Sequence, residues 1–361
     1  MARPQPDDHP RQKSEVGTGR TERRGLFVVS LDFELYWGVR DMPNVGAYIP
    51  NLVGGRAAVR AMLDLFTKYG IHATWATVGF LFADNSSTLR ELLPSVRPAY
   101  RKQKLFPYAD LPSEGTSETF DSIFFAPSLI RLIAATKNQE IATHTFSHYY
   151  CLEEGQDIES FKADLDAACV ASRRFGLELK SLVFPRNQCR PSYLEICAEA
   201  GIVGYRGNPV SWLHRGHPDE AQRRIRRLGR LLDAYFPVCW HTSHALSLPA
   251  AGLPINVCAS RFLRPYTPSL RRLEPLRLER IKREMTAAAR DGRMYHLWWH
   301  PHNFGVNTQL NLQFLTHILD HYEYLHAVYG MVSANMRETV EQYLLGGSEQ
   351  RGASPLRATA A

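Results

Sequence analysis

Residues 26–34, LFVVSLDFE, decide how the rest of the chain is read. The apolar, β-branched run from Leu26 closes on two acids, Asp32 and Glu34, and reads as a buried strand that carries carboxylates at its C-terminal end. Side chains two apart on a strand share a face, so Asp32 and Glu34 are expected to project together. Two carboxylates that close repel unless a cation or a shared proton lies between them.

Outward from this strand, helical and extended patterns alternate. Val59, Met62, Leu63 and Phe66 recur at helical spacing between Asn51 and Tyr69, and Gly70 follows as a C′ stop. IHATWATVGF (71–80) is the next strand. EIATHT (140–145), SLVFP (181–185), IVGYRG (202–207) and MYHLWW (294–299) read the same way. Between them lie helical patterns over 126–135, 158–175, 190–200, a stretch ending at Asp291-Gly292, and 307–329. Strands alternating with helices argue for βα units and a parallel sheet. Six or more strands with polar residues at their C-terminal ends favour a barrel over a doubly wound sheet. Two stretches resist this reading and are expected as insertions. Residues 84–122 are irregular and are expected to cover a site. Residues 206–272 are rich in Pro, Arg and His.

The chain has 361 residues, with 44% hydrophobic and 22% charged, a globular composition. Residues 1–24 are polar and punctuated by Pro and Gly, and are expected as a disordered arm; 346–361 are expected as a similar tail, leaving one catalytic body over 25–345. The formal charge of +7 is partly carried by these ends, too weak a surplus in the body to argue for nucleic acid. No apolar run reaches the ~18 residues of a membrane span. The first 24 residues hold no apolar h-region, and the six cysteines form no CxxC pair. Both point to free thiols in a cytoplasmic protein.

Polar stations stand at the predicted strand ends, where a parallel barrel gathers its chemistry. Asp32 and Glu34 are the first. His144 and His148, in HTFSH, are the second; on a helical turn an i, i+4 pair lies on one face, a spacing that suits a divalent metal. Two imidazoles and one carboxylate make a three-ligand site with open positions. Arg186, in FPRNQ, stands where it can hold a carboxylate. His300 and His302, in WWHPHNF, follow an apolar strand beside two tryptophans, where a histidine suits general-acid work.

Taken together, these stations resemble the polysaccharide deacetylase family, the NodB-homology carbohydrate esterases, over residues 25–330 in motif order. The H-[ST]-x-x-H motif of that family is matched by His144, Thr145 and His148. Its Thr-Phe-Asp-Asp strand end is not: Asp32 takes the base position, but Phe33 stands where the metal aspartate falls, and Glu34 is the expected replacement. FPRNQ also departs from the family's Arg-Pro-Pro-Tyr-like string. The resemblance implies a distorted (β/α)7-type barrel of the NodB-homology kind. It further implies a divalent metal, zinc being the expected ion, held by Glu34, His144 and His148. Asp32 would be the base, Arg186 its positioning partner and His300 the acid, with His302 in a supporting role. The implied activity is removal of the N-acetyl group from an N-acetylated amino sugar or glycan, in assembly of bacterial surface polysaccharide. Two alternatives are a hydrolase of a cyclic or other non-sugar amide and an inactive glycan-binding homologue.

Three further features have bland readings beside sharp ones. Arg223, Arg224, Arg226, Arg227 and Arg230 cluster on a predicted helix whose apolar face is Ile225, Leu228, Leu232 and Tyr235. This is either a solvated basic face or a peripheral contact with an anionic glycan or lipid-linked substrate. His241 and His244 are spaced for a second metal, in a region with no clear period. Tyr36, Trp37, Trp75 and Trp299 either stack on sugar rings or pack in the core.

Overall fold

The computed structural model describes residues 24–113, 118–209, 220–239, 243–247 and 252–352. The expected arm, apart from Arg24, lies outside them, as does His241.

Nine strands are found among the described residues: β1 (Leu26–Phe33), β2 (Ala73–Thr77), β3 (Gln139–Thr143), β4 (Ser181–Val183), β5 (Gly204–Arg206), β6 (Ile255–Asn256), β7 (Arg261–Phe262), β8 (Met294–Trp299) and β9 (Val332–Ser333). Every pairing between them is parallel. They follow the order β6-β5-β4-β3-β2-β1-β8-β7, with β9 added beside the start of β1. β1 is thus flanked on both sides, and its residues from Phe27 to Phe33 are all buried, as an apolar run in a parallel sheet should be.

The ends of this order meet through one segment. Val257 N–H donates to the Tyr205 carbonyl of β5, and Ser260 and Leu263 N–H donate to the His296 and Trp298 carbonyls of β8, each at 2.8 Å. Residues 255–263 therefore lean on β5 as they enter and on β8 as they leave. The sheet curls round on itself as the distorted barrel implied by the sequence. The stretch 206–272, expected as an insertion, contains the two short strands that bring the ends together. Two-residue strands carry no legible period, so only the pairing reveals them.

Helices cover the outside. In the helix Ile49–Tyr69, Leu52, Val59, Met62, Leu63 and Phe66 are buried, and Gly70 ends it at φ 60°, a left-handed conformation that glycine adopts without steric cost. The helix Ile158–Arg173 starts with a reciprocal cap in which Asp157 accepts from Ser160 N–H at 2.8 Å and Ser160 Oγ accepts from Asp157 N–H. The described residues of 84–122 include several short helical pieces, and Arg40 ties this stretch to the barrel through the Lys104 carbonyl and Asp110. The helix Met336–Gly352 carries the chain into the stretch expected as a tail. No helix among the described residues is long and apolar enough to cross a membrane.

Trp37, Trp75 and Trp299 are fully buried. Their packing on Phe80, Phe33 and Phe66 settles them as core and not as sugar platforms.

Candidate active site

Parallel strands in register bring their C-terminal ends to one end of the barrel: Phe33 faces Thr77, Thr77 faces Thr143, and Val183 faces Arg206. Asp32, Glu34, His144, Arg206 and His300 leave the sheet at that end. All but His300 are buried.

Glu34 sits at the centre. Its Oε2 lies 3.0 Å from His148 Nε2 and 3.2 Å from His144 Nε2. Its Oε1 lies 3.4 Å from His300 Nε2 and 4.0 Å from His302 Nε2. Burial alone would raise this carboxyl, but the neighbouring His300, His144 and His148 rings hold it well below the usual range. Gly38 makes the position available, since a Cβ there would overlap the Glu34 carboxylate.

The two histidines of HTFSH do not converge through a helical turn, as the spacing predicted. Residues 144–148 form a loop in which Thr145 and His148 have φ of 61° and 59°, left-handed for both. Asp164, on the helix Ile158–Arg173, holds this loop: its carboxylate accepts Phe146 N–H at 2.7 Å, Ser147 N–H at 3.2 Å and the Ser147 hydroxyl. Thr145 Oγ1 accepts Tyr149 N–H at 2.7 Å.

His144 Nδ1 lies 2.8 Å from the Val183 carbonyl, to which it must donate. That fixes the tautomer and leaves a lone pair on Nε2, a buried atom without a hydrogen-bond partner that faces Glu34. Burial lowers His148 to about 4, with Glu34 opposing the shift, so its ring is neutral near pH 7. Two imidazoles aimed at one carboxylate fit the donor set of a divalent metal.

Asp32 has a different partner. Arg206 grips it with two parallel hydrogen bonds, Nη1 to Oδ1 at 2.6 Å and Nη2 to Oδ2 at 2.7 Å. Burial would raise Asp32, but Arg206, with His144 and His300 adding to it, lowers it below the ordinary carboxylate range. Arg206 is itself placed by Ser30 Oγ at 3.0 Å, Asn187 Oδ1 at 3.1 Å and the Trp298 ring 4.1 Å below its guanidinium carbon. Ser30 also meets His296 Nε2 at 2.8 Å.

Arg186, expected beside Asp32, lies elsewhere. It pairs with Asp41 and lies over the Tyr150 ring at 4.4 Å. It has φ of 53° in a short turn after β4, which carries its side chain away from the strand ends. The partner missed from the sequence, Arg206, is the last residue of β5. Its signal was present in IVGYRG, an arginine closing an apolar strand.

His300 and His302 separate in burial. The His300 side chain is 25% exposed, and its Nε2 lies 3.7 Å from Asp32 Oδ2. Asn303 Nδ2 approaches its Nδ1 at 3.4 Å, and Asn303 Oδ1 accepts from Tyr48 Oη at 2.8 Å. His302 is buried, stacks on His300 at 5.2 Å between centroids and abuts Tyr48. Burial, reinforced by the charge of His300, lowers it to about 3. His244 forms an isolated bridge with Met294 and belongs to neither group that could hold a metal among the described residues, Glu34 with His144 and His148 or Glu34 with His300 and His302.

No protein-family profile and no curated protein matches this sequence. Solved structures do match in shape. A protein from Mycobacterium smegmatis described as a polysaccharide deacetylase superposes with a TM-score of 0.57 at 13% identity, over 95% of this chain and 96% of that one. PuuE allantoinase superposes with a TM-score of 0.51 at 12% identity, over 94% and 98%. The chain has the fold of these proteins, the curled parallel barrel of the NodB-homology kind.

Proposed function

We propose that this chain is a metal-dependent hydrolase that removes the N-acetyl group from an N-acetylated amino sugar or glycan, in the assembly of bacterial surface polysaccharide. The observation that carries the reading is the convergence of Glu34, His144 and His148 beside the Asp32–Arg206 pair. An ion held by Glu34, His144 and His148 would polarise an amide carbonyl and lower the pKa of a water, and zinc suits the two-imidazole, one-carboxylate set.

The other residues have separable tasks. Asp32 is kept ionised by Arg206 and is placed to accept a proton. Arg206 meets both carboxylate oxygens, so it also fixes the plane of the acceptor. His300, the more exposed histidine, is placed to give a proton to a departing amine, which is otherwise a poor leaving group. Trp298 and Phe262 flank His300 at 5.7 and 5.6 Å. The cytoplasmic location is part of this proposal, supported by the spacing of the six cysteines, none of them in a CxxC pair.

Hydrolysis of a cyclic or other non-sugar amide needs the same groups, and the allantoinase of this fold gives that reading its example. An inactive glycan-binding role sits less well with a complete ligand set. One experiment separates the three: the metal content of the purified chain, with acetate release from N-acetylated glycans measured beside ring opening of cyclic amides. Metal with acetate release supports the deacetylase; metal with ring opening alone supports the second reading. A chain without metal that binds glycans and turns over neither substrate overturns both.

A further inference from the structure

The helix Glu220–Asp233, EAQRRIRRLGRLLD, takes no part in the chemistry described above. Its C-terminal end is fastened to the barrel. Asp233 accepts from Arg280 Nη2 at 2.9 Å and from Arg261 Nη2 at 3.3 Å, and its carbonyl accepts from Arg261 Nη1 at 3.1 Å. Arg261 belongs to β7, and the next residue, Phe262, packs on His300 and Trp298. The helix therefore ends against β7 and the helix Glu274–Arg290.

Its apolar residues point to solvent. Ile225 is 56% exposed, Leu228 57% and Leu232 45%, and the chain beyond the helix adds Phe236 at 47% and Val238 at 40%. Positions 225, 228, 232 and 236 recur at helical spacing, so the first three form a stripe that Phe236 extends. The sequence of these fourteen residues contains five arginines, Arg223, Arg224, Arg226, Arg227 and Arg230, and two acids, Glu220 and Asp233. An apolar stripe on an arginine-rich helix has two complementary demands, a hydrocarbon environment and negative charge. An anionic lipid surface meets both at once. A second copy of the chain would cover the stripe but bring two sets of arginines together.

We propose that the helix Glu220–Asp233, with its extension to Val238, is a surface on which the protein lies against an anionic lipid bilayer. The apolar stripe enters the headgroup boundary, and the net positive charge of the segment favours anionic headgroups. The proposal is independent of the hydrolase reading.

The test is co-sedimentation of the full chain with vesicles of phosphatidylcholine alone and of phosphatidylcholine mixed with phosphatidylglycerol. Binding is expected only with phosphatidylglycerol, and it should weaken as salt rises. The triple variant Ile225→Glu/Leu228→Glu/Leu232→Glu should lower partitioning by at least about tenfold. Val328→Glu, an exposed apolar position on the helix Thr308–Tyr329, should leave it unchanged. Arg226→Gln/Arg227→Gln provides a milder variant that lowers binding without adding charge to the stripe, should the triple variant melt early. Three results would overturn the proposal: no sedimentation with either vesicle, equal binding by wild type and both helix variants, or a wild-type dimer in light scattering that the triple variant breaks.

Discussion

Arg206 and Asp32 meet through a buried bidentate pair, the guanidinium of β5 closing on the carboxylate of β1 across the end of the barrel. Both side chains are at most 4% exposed. Removing the arginine alone would strand a buried charge. Arg206→Met is expected to cost about 3–5 kcal/mol of stability, measured by denaturant unfolding. Arg186→Met, which breaks a partly exposed pair with Asp41, should cost about 1 kcal/mol or less. Similar losses in the two variants would remove the distinction drawn between these arginines.

Asp32→Asn tests the proposed base. It should retain the metal and lose about 10²–10⁴ in turnover. Metal content and kcat measured on one preparation decide it. If the asparagine variant is empty while Glu34→Gln stays filled, the roles of the two acids are exchanged.

His144→Ala/His148→Ala should hold no ion at equimolar metal, because two of three ligands are gone. Gly38→Ala makes the same point without touching a ligand. The added methyl must displace the Glu34 carboxylate, so affinity should fall by about 10–100-fold, the range seen when a ligand's support is removed. Isothermal titration with zinc reads both variants. Wild-type affinity in Gly38→Ala would mean that Glu34 is not a ligand.

His300→Ala and His302→Ala should part company. The first should keep metal and fold and lose about 10²–10⁴ in kcat. The second removes a buried ring and should cost about 1–3 kcal/mol of stability with the smaller loss of kcat. Thermal melts and steady-state kinetics on both variants check this. A larger kcat loss at His302 would move the acid two residues along.

Asp164→Ala leaves the donors of Phe146 and Ser147 without their buried acceptor. A loss of about 1–3 kcal/mol is expected, together with weaker metal binding as the left-handed loop relaxes. Unchanged metal affinity would show that the loop holds its shape without this carboxylate.

The barrel was legible because its long strands announce themselves locally. Leu26–Phe33 and Met294–Trp299 are apolar runs, and helices such as Ile49–Tyr69 repeat at a period set by backbone geometry. The acids and histidines were legible because they stand at the ends of those runs. Tertiary structure decided what adjacency in sequence does not encode. The segment 255–263 closes the sheet through pairings with β5 and β8 and has no pattern of its own. His144 and His148 converge through two left-handed residues held by Asp164, where i, i+4 spacing suggested a helix. Arg206 replaced Arg186 on Asp32 because register levels the end of β5 with β4 and aims its guanidinium across the barrel, while a turn after β4 carries Arg186 away. Residue type and strand position come from local patterning; which charge meets which is set by register and by the turn after each strand, and those depend on packing between segments far apart in the chain.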